Sequence, residues 1–308
     1  MTFLSQQNTP CNDCPRRCNS ARPYTDGCTT PRAGFCRSPL QPVVARAALH
    51  FWEEPCISGS RGSGTVFFSG CNLHCVFCQN AQISQNCHGV AVSTERLKEI
   101  YGELIAQGAH NINLVTASHF IRAVCESLAE PLPVPVVYNC GGYESLAAIE
   151  KLRGKVQIYL PDFKYSTAEP AKRYSNAADY PAIATAAIRA MYDQVGPYEL
   201  DADGILQKGV VIRHLILPGQ LENTKGVIDW VAKTFSEGQV LFSLMRQYIP
   251  CGDAATFPEI NRRLTKEEYR KAEQYLFDSG IEDGFVQEAD SASNDFIPAF
   301  DGTGVIKK

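Results

Sequence analysis

Short apolar runs recur between residues 65 and 248, and longer stretches with a helical period of apolar residues separate them. Six runs have the continuous apolar character of buried parallel strands, and they lie at 65–70, 111–117, 134–140, 155–163, 210–218 and 239–248. The spacing predicts helices at 94–107, 119–130, 144–153, 167–194, 223–235 and 265–279. The last helix begins with Thr265-x-x-Glu268, the pattern of a capping box.

The alternation of strands and helices indicates one parallel sheet whose strands are joined by right-handed crossovers. We therefore predict the α/β class, and the pattern by itself allows either an open doubly wound sheet or a barrel. In both architectures the functional residues lie on the loops at the carboxyl ends of the strands. Side chains at these strand ends are therefore the first candidates for chemistry.

Residues 1–62 differ in composition from the rest of the chain. They contain seven Arg, no Lys and four acidic residues, and they show no sustained period. We predict two domains, a Cys-, Arg- and Pro-rich N-terminal module over 1–62 and an α/β domain over 63–308. The arginines of the module are expected to lie on a solvated surface.

Charge and hydropathy exclude several classes of protein. The 308 residues include 29 Lys plus Arg and 33 Asp plus Glu, a net charge of -4 that argues against a general nucleic-acid binder. No apolar run approaches the length of about 18 residues that a membrane span requires. The first ten residues lack the pattern of a secretory signal, so we expect a cytoplasmic protein.

Cysteine is the residue type that changes this picture. The chain has 13 cysteines, and without an export signal they do not indicate a disulfide framework. Grouped thiols in a reducing compartment indicate a metal site or redox chemistry instead. Eight of the cysteines fall in two dense groups, namely Cys11, Cys14, Cys18, Cys28 and Cys36, and then Cys71, Cys75 and Cys78.

The second group lies on the loop after the first predicted strand and has the spacing C-x3-C-x2-C. Three thiolates at this spacing can bind three irons of a [4Fe–4S] cluster, which ordinary ferredoxins hold with four cysteines. The remaining iron keeps an open coordination position, as catalytic metal sites do. Two other interpretations stay open, a zinc site that recruits a fourth ligand such as His74, or three unrelated buried thiols.

The sequence Cys71-x3-Cys75-x-Phe77-Cys78 resembles the C-x3-C-x-aromatic-C signature of the radical S-adenosylmethionine (SAM) enzymes. Four further segments, at 50–80, 158–165, 212–219 and 243–250, are similar to PflX-type homologues of pyruvate formate-lyase activating enzyme. The resemblance implies a partial (β/α)6 TIM-like barrel from about residue 61 to about residue 287, preceded by a cysteine-rich N-terminal extension.

The resemblance also implies a chemistry. The open iron would bind the amino and carboxylate groups of SAM, and an electron from the reduced cluster would cleave SAM to methionine and a 5′-deoxyadenosyl radical. That radical would abstract hydrogen from a substrate, so the protein would be an oxidoreductase suited to anaerobic conditions. A flavodoxin or a ferredoxin is the expected electron donor. The protein would orient the reactants and exclude water.

The resemblance places SAM contacts at matching positions. The backbone of Phe77 would lie near the adenine, unless this residue is only a core aromatic. Asp162 and Lys164, at the end of the fourth predicted strand, match a D-x-K element that lies near the SAM carboxylate and ribose. A surface ion pair is the alternative for these two residues.

One element of the activating enzymes is missing. They carry a Gly-Gly-Glu type motif after the second strand, and this chain lacks it. Thr116, Ser118 and His119 are candidates to bind the SAM amine in its place. Alternatively, Ser118 caps the following helix and His119 forms hydrogen bonds within the first turn. Asn139, in the third predicted strand, is a candidate to bind ribose or substrate.

Weaker candidates lie in or near other strands. Only one of Arg213 and His214, and likewise only one of Arg246 and Gln247, can face the interior, since neighbouring strand residues point to opposite faces. The pair Glu53-Glu54 either binds a cationic substrate, or binds the N-terminal module, or is solvated.

The N-terminal cysteines form a second candidate metal site. Cys11, Cys14, Cys18 and Cys36 supply four thiols, and a loop-rich module of this composition needs such a staple. Family members resemble the chain at these four positions, whereas Cys28 lies in an apparent insertion. The sequence does not choose between zinc and an auxiliary Fe–S cluster as the bound group, and four free thiols are the alternative to a metal site.

Three interpretations of the function follow. The first is activation of a glycyl-radical enzyme by hydrogen abstraction from a backbone glycine of a partner protein. The second is radical modification of a small molecule, or of a peptide or protein side chain. The third is a non-catalytic Fe–S electron carrier or a zinc module. The sequence assigns no catalytic side chain.

Overall fold

The computed structural model of the chain describes residues 10–22, 34–287 and 298–307. Cys28 lies outside these residues. Within them, no helix has both the length and the apolar character that are needed to cross a membrane.

Ten strands of the described residues belong to one sheet. In chain order they are β1 (Val43–His50), β2 (Ser63–Phe68), β3 (Val90–Ala91), β4 (Ile112–Val115), β5 (Val136–Cys140), β6 (Ile158–Pro161), β7 (Glu199–Leu200), β8 (Leu206–Leu215), β9 (Leu241–Met245) and β10 (Gly284–Val286). The six predicted strands are confirmed as β2, β4, β5, β6, β8 and β9. The prediction missed β3, β7 and β10, because two or three residues are too few to show a period. It also missed β1, which has eight residues and lies in the segment predicted to be a loop-rich module.

The order of strands in the sheet is β3-β1-β2-β4-β5-β6-β8-β9-β10, with β7 paired to β8. The strands from β2 to β10 in this order run parallel. β1 is antiparallel to β2 and β3, and β7 is antiparallel to β8. The predicted α/β class with a parallel sheet is confirmed, and β10 extends the parallel part beyond the six predicted strands.

Helices connect the strands. In the described residues they are α1 (Pro55–Ser58), α2 (Ala81–Ser84), α3 (Thr94–Ala106), α4 (Ile121–Ser127), α5 (Leu146–Lys151), α6 (Ala168–Ser175), α7 (Tyr180–Val195), α8 (Leu221–Thr234) and α9 (Lys266–Asp278). The capping box at Thr265 and Glu268 forms as predicted. The single helix predicted over 167–194 was wrong, because Asn176 ends α6 in a left-handed conformation and α7 begins afresh with Pro181 in its first turn.

The sheet curves around the side chain of Glu53, which follows β1. This carboxylate accepts hydrogen bonds from Asn113 on β4 (3.1 Å), Asn139 on β5 (3.2 Å) and Arg213 on β8 (3.0 Å). In the sheet order β2 and β9 are five strand spacings of about 4.8 Å apart. Phe68 at the end of β2 and Met245 at the end of β9 nevertheless line one cavity, which a flat sheet would not allow. The strands therefore bend into a partial barrel, as the resemblance implied.

Strand β1 belongs to the predicted N-terminal module, yet it pairs with β2 along most of its length. Its residues Val43, Val44 and Ala47 are buried in the main hydrophobic core. The predicted boundary after residue 62 therefore falls between two paired strands of one sheet.

Two arginines of the N-terminal module bind backbone carbonyls of the α/β domain. Arg16 donates to the carbonyl oxygens of Asn72 (2.7 Å) and Ser175 (2.9 Å), and buried Arg22 donates to the carbonyl of His119. The expectation of a solvated surface was wrong for these two residues, because buried carbonyl groups of loops need donors and a guanidinium group supplies several.

Candidate active site

A cavity of about 260 Å³ lies where the parallel strands end, and it is bounded by the carboxyl ends of β2, β4, β5, β6, β8 and β9. This is the edge at which parallel α/β folds carry their sites. Of the predicted site residues, Ser118 and His119 do not line the cavity. Those that line it are Cys71, Cys75, Phe77, Cys78, Thr116, Asn139, Asp162 and Lys164.

The three loop cysteines line this cavity together, and each sulfur accepts a hydrogen bond. Burial and the neighbouring Cys75 thiol raise the pKa of Cys71 to about 12, so a bound metal must displace protons from this group of thiols. The donors are the backbone N–H of Leu73 to Cys71 (3.3 Å), the hydroxyl of Ser175 to Cys75 (3.0 Å) and the hydroxyl of Ser84 to Cys78 (3.3 Å).

These features fit a [4Fe–4S] cluster, which thiolates hold and whose potential depends on hydrogen bonds to the sulfurs. Among the described residues, no group of three His, Cys, Asp or Glu side chains is placed to hold a metal ion. A cluster does not need such a compact group, because each cysteine binds a different iron at a corner of one cube. The loop therefore fits a cluster better than a single zinc ion.

His74 does not provide a fourth ligand. Its ring packs on Phe35, with the two ring centroids 4.7 Å apart, and it does not line the cavity. Burial lowers the pKa of His74 to about 4, and the nearby Arg37 and Arg16 add to this effect. The interpretation of this loop as a zinc site that uses His74 is therefore not supported.

The cysteine loop is held in place from both sides. The Asn72 side chain donates to the carbonyl of Tyr143 (2.7 Å), and the N–H of Val76 donates to the carbonyl of Tyr174 (2.9 Å). Arg16, which binds the carbonyl of Asn72, also lies over the ring of Phe35, 3.8 Å from its centroid. The N-terminal module thus helps to fix the loop that carries the three thiols.

Asp162 and Lys164 form a close ion pair inside the cavity, with 2.6 Å between Oδ2 and Nζ. Both side chains are largely buried, so the alternative of a surface pair is not what the structure has. Burial alone would raise the pKa of Asp162, but Arg213 and Lys164 beside it hold that pKa below its ordinary value. The pair therefore offers an anion and a cation to a polar ligand.

Arg213 links this ion pair by hydrogen bonds to residues of β5 and of the segment after β1. Its guanidinium donates to Asp162 Oδ1 (2.9 Å), Glu53 Oε2 (3.0 Å) and Asn139 Oδ1 (2.7 Å). Asn139, predicted as a ribose or substrate ligand, also donates to Glu53 (3.2 Å), so its side chain is part of this network while it lines the cavity.

Phe77 lines the cavity and is also a core residue, being 5% exposed. Its ring packs edge-on against Tyr248, with the centroids 5.9 Å apart, and against Tyr174 at 6.4 Å. The two interpretations of Phe77 are compatible, because a ring fixed in the core still leaves the backbone beside the cavity.

Thr116 has a strained backbone where it lines the cavity. Its φ of 61° lies in the left-handed region, which is rare for a β-branched residue. The N–H of Thr116 donates to the carbonyl of Asn139 (2.8 Å), and this bond helps to hold the conformation. Such strain persists only where surrounding contacts hold the backbone in place, and it is common at functional sites. Thr116 therefore remains a candidate ligand.

Ser118 and His119 are buried behind the cavity. The Ser118 hydroxyl donates to Glu144, and the ring of His119 donates from Nε2 to the carbonyl of Ser69 (2.8 Å). Burial lowers the pKa of His119 to about 3, with Arg22 contributing. The prediction that these two residues bind SAM is not supported, and neither is helix capping by Ser118, because its side chain forms no cap.

One member of each of the two neighbouring pairs lines the cavity. Arg213 on β8 and Gln247 after β9 line the cavity, whereas His214 packs towards α8. Arg246 points away and lies over the ring of Tyr269, 3.8 Å from the centroid. Sequence reasoning named both pairs and predicted that only one member of each faces the interior, but it did not choose the member. The period of two that puts Leu215 in the cavity also puts Arg213 there.

The N-terminal cysteines divide into three buried residues and one exposed residue. Cys11, Cys14 and Cys36 are buried, whereas Cys18 is exposed, with its sulfur 3.3 Å from the Ser20 hydroxyl. Burial raises the pKa of Cys14 to about 12, and Cys36 and Cys11 add to the rise. The second metal site stays a prediction.

Comparison with known proteins identifies a relative. Over 272 residues the chain is 31% identical to the uncharacterized protein MJ0674 of Methanocaldococcus jannaschii, covering 85% of this chain and 72% of the relative. The chain belongs to the MJ0674 family.

Residues 58–123 match the family model described as a 4Fe–4S single cluster domain. The matched segment contains Cys71, Cys75 and Cys78. This match supports the predicted [4Fe–4S] cluster on the loop, and it agrees with the resemblance to radical SAM enzymes at the level of the superfamily.

Several solved structures are also similar to this member of the MJ0674 family. SuiB of Streptococcus suis bound to SAM has a TM-score of 0.47 at 10% identity, covering 72% of this chain and 49% of its own. SuiB bound to its precursor peptide SuiA has a TM-score of 0.46 at 11% identity, with coverages of 72% and 47%. A domain of pyruvate-formate lyase-activating enzyme from Bacteroides vulgatus has a TM-score of 0.35 at 12% identity, with coverages of 63% and 91%. The chain spans about half the length of SuiB.

Removal of the Arg213 charge should destabilise the fold. In Arg213→Met, Glu53 and Asp162 stay buried without this cation, so we expect the free energy of unfolding to fall by about 3–5 kcal/mol. Urea denaturation followed by circular dichroism measures the change. Lys208→Met is the matched control, because Lys208 forms a more exposed ion pair with Glu199 (2.8 Å) and should change stability little. Equal effects of the two substitutions would show that the network contributes no stability.

Glu144 should make stability depend on pH. Burial raises its pKa from 4.5 to about 7. Between these values the folded chain keeps a proton that the unfolded chain releases, so stability falls as pH rises through this window. Glu144→Gln has no such proton, and its unfolding free energy relative to the parent should therefore increase from about pH 5 to about pH 8, by on the order of 2–3 kcal/mol.

Urea denaturation at several pH values tests this expectation. Glu150→Gln is the control, because Glu150 is exposed on α5 and should show no trend in the same window. If the difference in unfolding free energy between Glu144→Gln and the parent does not change with pH, Glu144 is charged in the folded protein at pH 5.

Proposed function

We propose that this chain is a radical SAM enzyme in which Cys71, Cys75 and Cys78 hold a [4Fe–4S] cluster and the adjoining cavity binds SAM. One observation carries the proposal. The three cysteines line a single cavity with Asp162 and Lys164 at the carboxyl ends of the parallel strands. When bound, the cluster and SAM supply the chemistry, which is reductive cleavage to a 5′-deoxyadenosyl radical that abstracts hydrogen from substrate.

The residues of the chain bind and orient SAM in this proposal. The ammonium of Lys164 is placed to attract the SAM carboxylate, while Asp162 accepts hydrogen bonds from hydroxyl or amino groups. The backbone around Phe77 faces the adenine, and Thr116 takes the place of the missing Gly-Gly-Glu motif. Apolar lining residues such as Leu73 exclude water from the radical.

Further parts of the proposal concern partners and the second metal site. A flavodoxin or a ferredoxin supplies the electron, and the protein works in the cytoplasm. The N-terminal thiols, of which Cys11, Cys14 and Cys36 are buried, hold either zinc or an auxiliary Fe–S cluster. Cys18 would have to turn inward to act as the fourth ligand.

Two substrate classes are proposed for the radical. The first is a backbone glycine of a glycyl-radical enzyme, as the similarity to PflX-type activating-enzyme homologues suggests. The second is a small molecule or a peptide or protein side chain, and the charged interior of the barrel favours it. A backbone glycine carries no charge, so it would not offset the excess of carboxylates over cations in that interior.

Loss of a cluster ligand should abolish SAM cleavage. With dithionite and without oxygen, the reconstituted protein should form 5′-deoxyadenosine, which chromatography measures. Cys75→Ala should have less bound iron, and its 5′-deoxyadenosine should fall to the level without protein, because one iron loses its ligand. Cys125→Ala is the control, since Cys125 lies on α4 outside the cavity. Normal cleavage by Cys75→Ala would contradict the proposal.

Lys164 should contribute to SAM affinity. Lys164→Met removes the ammonium but leaves Asp162 paired with Arg213 at 2.9 Å, so the fold should persist. A hydrogen bond to a charged group stabilises by about 1.5–3 kcal/mol, so we expect the Kd for SAM to rise at least about 10-fold. Equilibrium dialysis of the reconstituted protein measures this Kd, with Lys208→Met as the control. An unchanged Kd would remove Lys164 from the SAM site.

A further inference from the structure

A second cavity, of about 760 Å³, adjoins the one lined by the cysteines. Trp52, Glu53, Arg213, Met245 and Gln247 line both cavities. The second cavity lies between the segment 51–59, which follows β1, and strands β9 and β10 at the other end of the sheet order. It therefore connects the cysteine cavity with the open side of the partial barrel, and its volume suits a small ligand or a side chain.

Carboxylates exceed cations in the lining of the two cavities taken together. Glu53, Glu54 and Asp162 are the acids, with only Arg213 and Lys164 to balance them among the described lining residues. The Arg213 guanidinium lies 2.9 Å from Asp162 and 3.0 Å from Glu53, but 3.9 Å from Glu54. Lys164 pairs with Asp162. Glu54 is therefore the acid with the weakest cationic partner.

One carboxylate oxygen of Glu54 also lacks a hydrogen-bond donor. The residue is 8% exposed, and its Oε2 has no hydrogen-bond partner among the described residues. The Oδ1 of Asn113, whose amide donates to the neighbouring Glu53, is buried and lacks a partner as well. A buried carboxylate oxygen without a donor is costly. A ligand with N–H donors and a positive charge would remove this cost.

Aromatic side chains stand at the outer end of the same cavity. Trp52 is 63% exposed and Phe51 is 49% exposed, and both line the cavity. Large exposed aromatic residues next to buried acids are suited to cationic groups, because the ring face attracts a cation before the carboxylate binds it.

We propose that the second cavity is the substrate site and that it binds a cationic nitrogen group, an alkylammonium or a guanidinium, through Glu54. The bound group enters past Trp52 and Phe51 and donates its N–H groups to the carboxylate. The rest of the substrate then extends towards the cysteine cavity. The identification of this ligand as the substrate rests on the proposed function, whereas the charge preference of the cavity does not.

Calorimetry on the anaerobic, cluster-loaded protein with SAM tests the charge preference. The probes are Nα-acetyl-lysine methylamide and its uncharged norleucine counterpart, and a pentapeptide pair with Lys or norleucine between glycines. We expect a lysine probe to bind at least about 10-fold more tightly than its norleucine counterpart. A preference in the small probes indicates a free small molecule, and a preference confined to the peptides indicates a peptide side chain.

Two variants and one control test the role of Glu54 and of the cavity. Glu54→Gln keeps the shape of the side chain and should abolish the preference, whereas Glu199→Gln removes an exposed acid on β7 and should retain it. Gln247→Lys places an ammonium inside the cavity, so it should weaken the lysine probes while leaving the norleucine probes unchanged. Gln247→Lys keeps the test decisive if Glu54→Gln does not fold.

The inference is overturned if wild-type protein binds the two members of each pair equally or binds neither. It is also overturned if the preference persists in Glu54→Gln or in Gln247→Lys. Formation of 5′-deoxyadenosine in the same preparations is measured separately. A charge preference without SAM cleavage would refute the proposed function alone, and SAM cleavage without a charge preference would refute this inference alone.

Discussion

Arg213 is largely buried inside the barrel, with its side chain 13% exposed, and a guanidinium withdrawn from water is stable only when carboxylates and other acceptors surround it. Its partners come from distant parts of the chain: Glu53 follows β1, Asn139 is on β5 and Asp162 follows β6. The need to pair this charge draws those elements inward, and the curvature of the sheet is consistent with it. The same group keeps Asp162 ionised and so sets the charge that the cavity presents to a ligand.

The cysteine loop depends on a different set of contacts, in which backbone groups dominate. Arg16, Asn72 and the N–H of Val76 tie the loop to its neighbours. A loop fixed in this way restricts the positions of its thiols before iron binds, which lowers the cost of assembly. The N-terminal module therefore has a structural role at the site in addition to the thiols that it carries.

A radical that attacks almost any nearby C–H bond depends on the protein to position the correct one. In the proposed enzyme this task falls to the second cavity, because it adjoins the cavity of the cysteines and shares Glu53 and Arg213 with it. A charged anchor such as Glu54 at a fixed distance from the reactive cavity is one physical means of selecting a hydrogen atom. The membership of the MJ0674 family and the 4Fe–4S domain are compatible with several substrates, since function belongs to the site and not to the fold.

The sequence by itself determined the α/β class, the six principal strands and the three cysteines of the cavity, because these depend on local periods and on fixed spacings along the chain. It also placed Asp162, Lys164, Thr116 and Asn139 at strand ends, where parallel sheets gather their functional residues. Only the tertiary structure separated these four from Ser118 and His119. The latter two follow β4, as Thr116 does, but their side chains turn into the core. It alone also joined Glu53 to Arg213, 160 residues apart along the chain, because pairing of buried charges depends on which strands meet in space and leaves no period in the sequence.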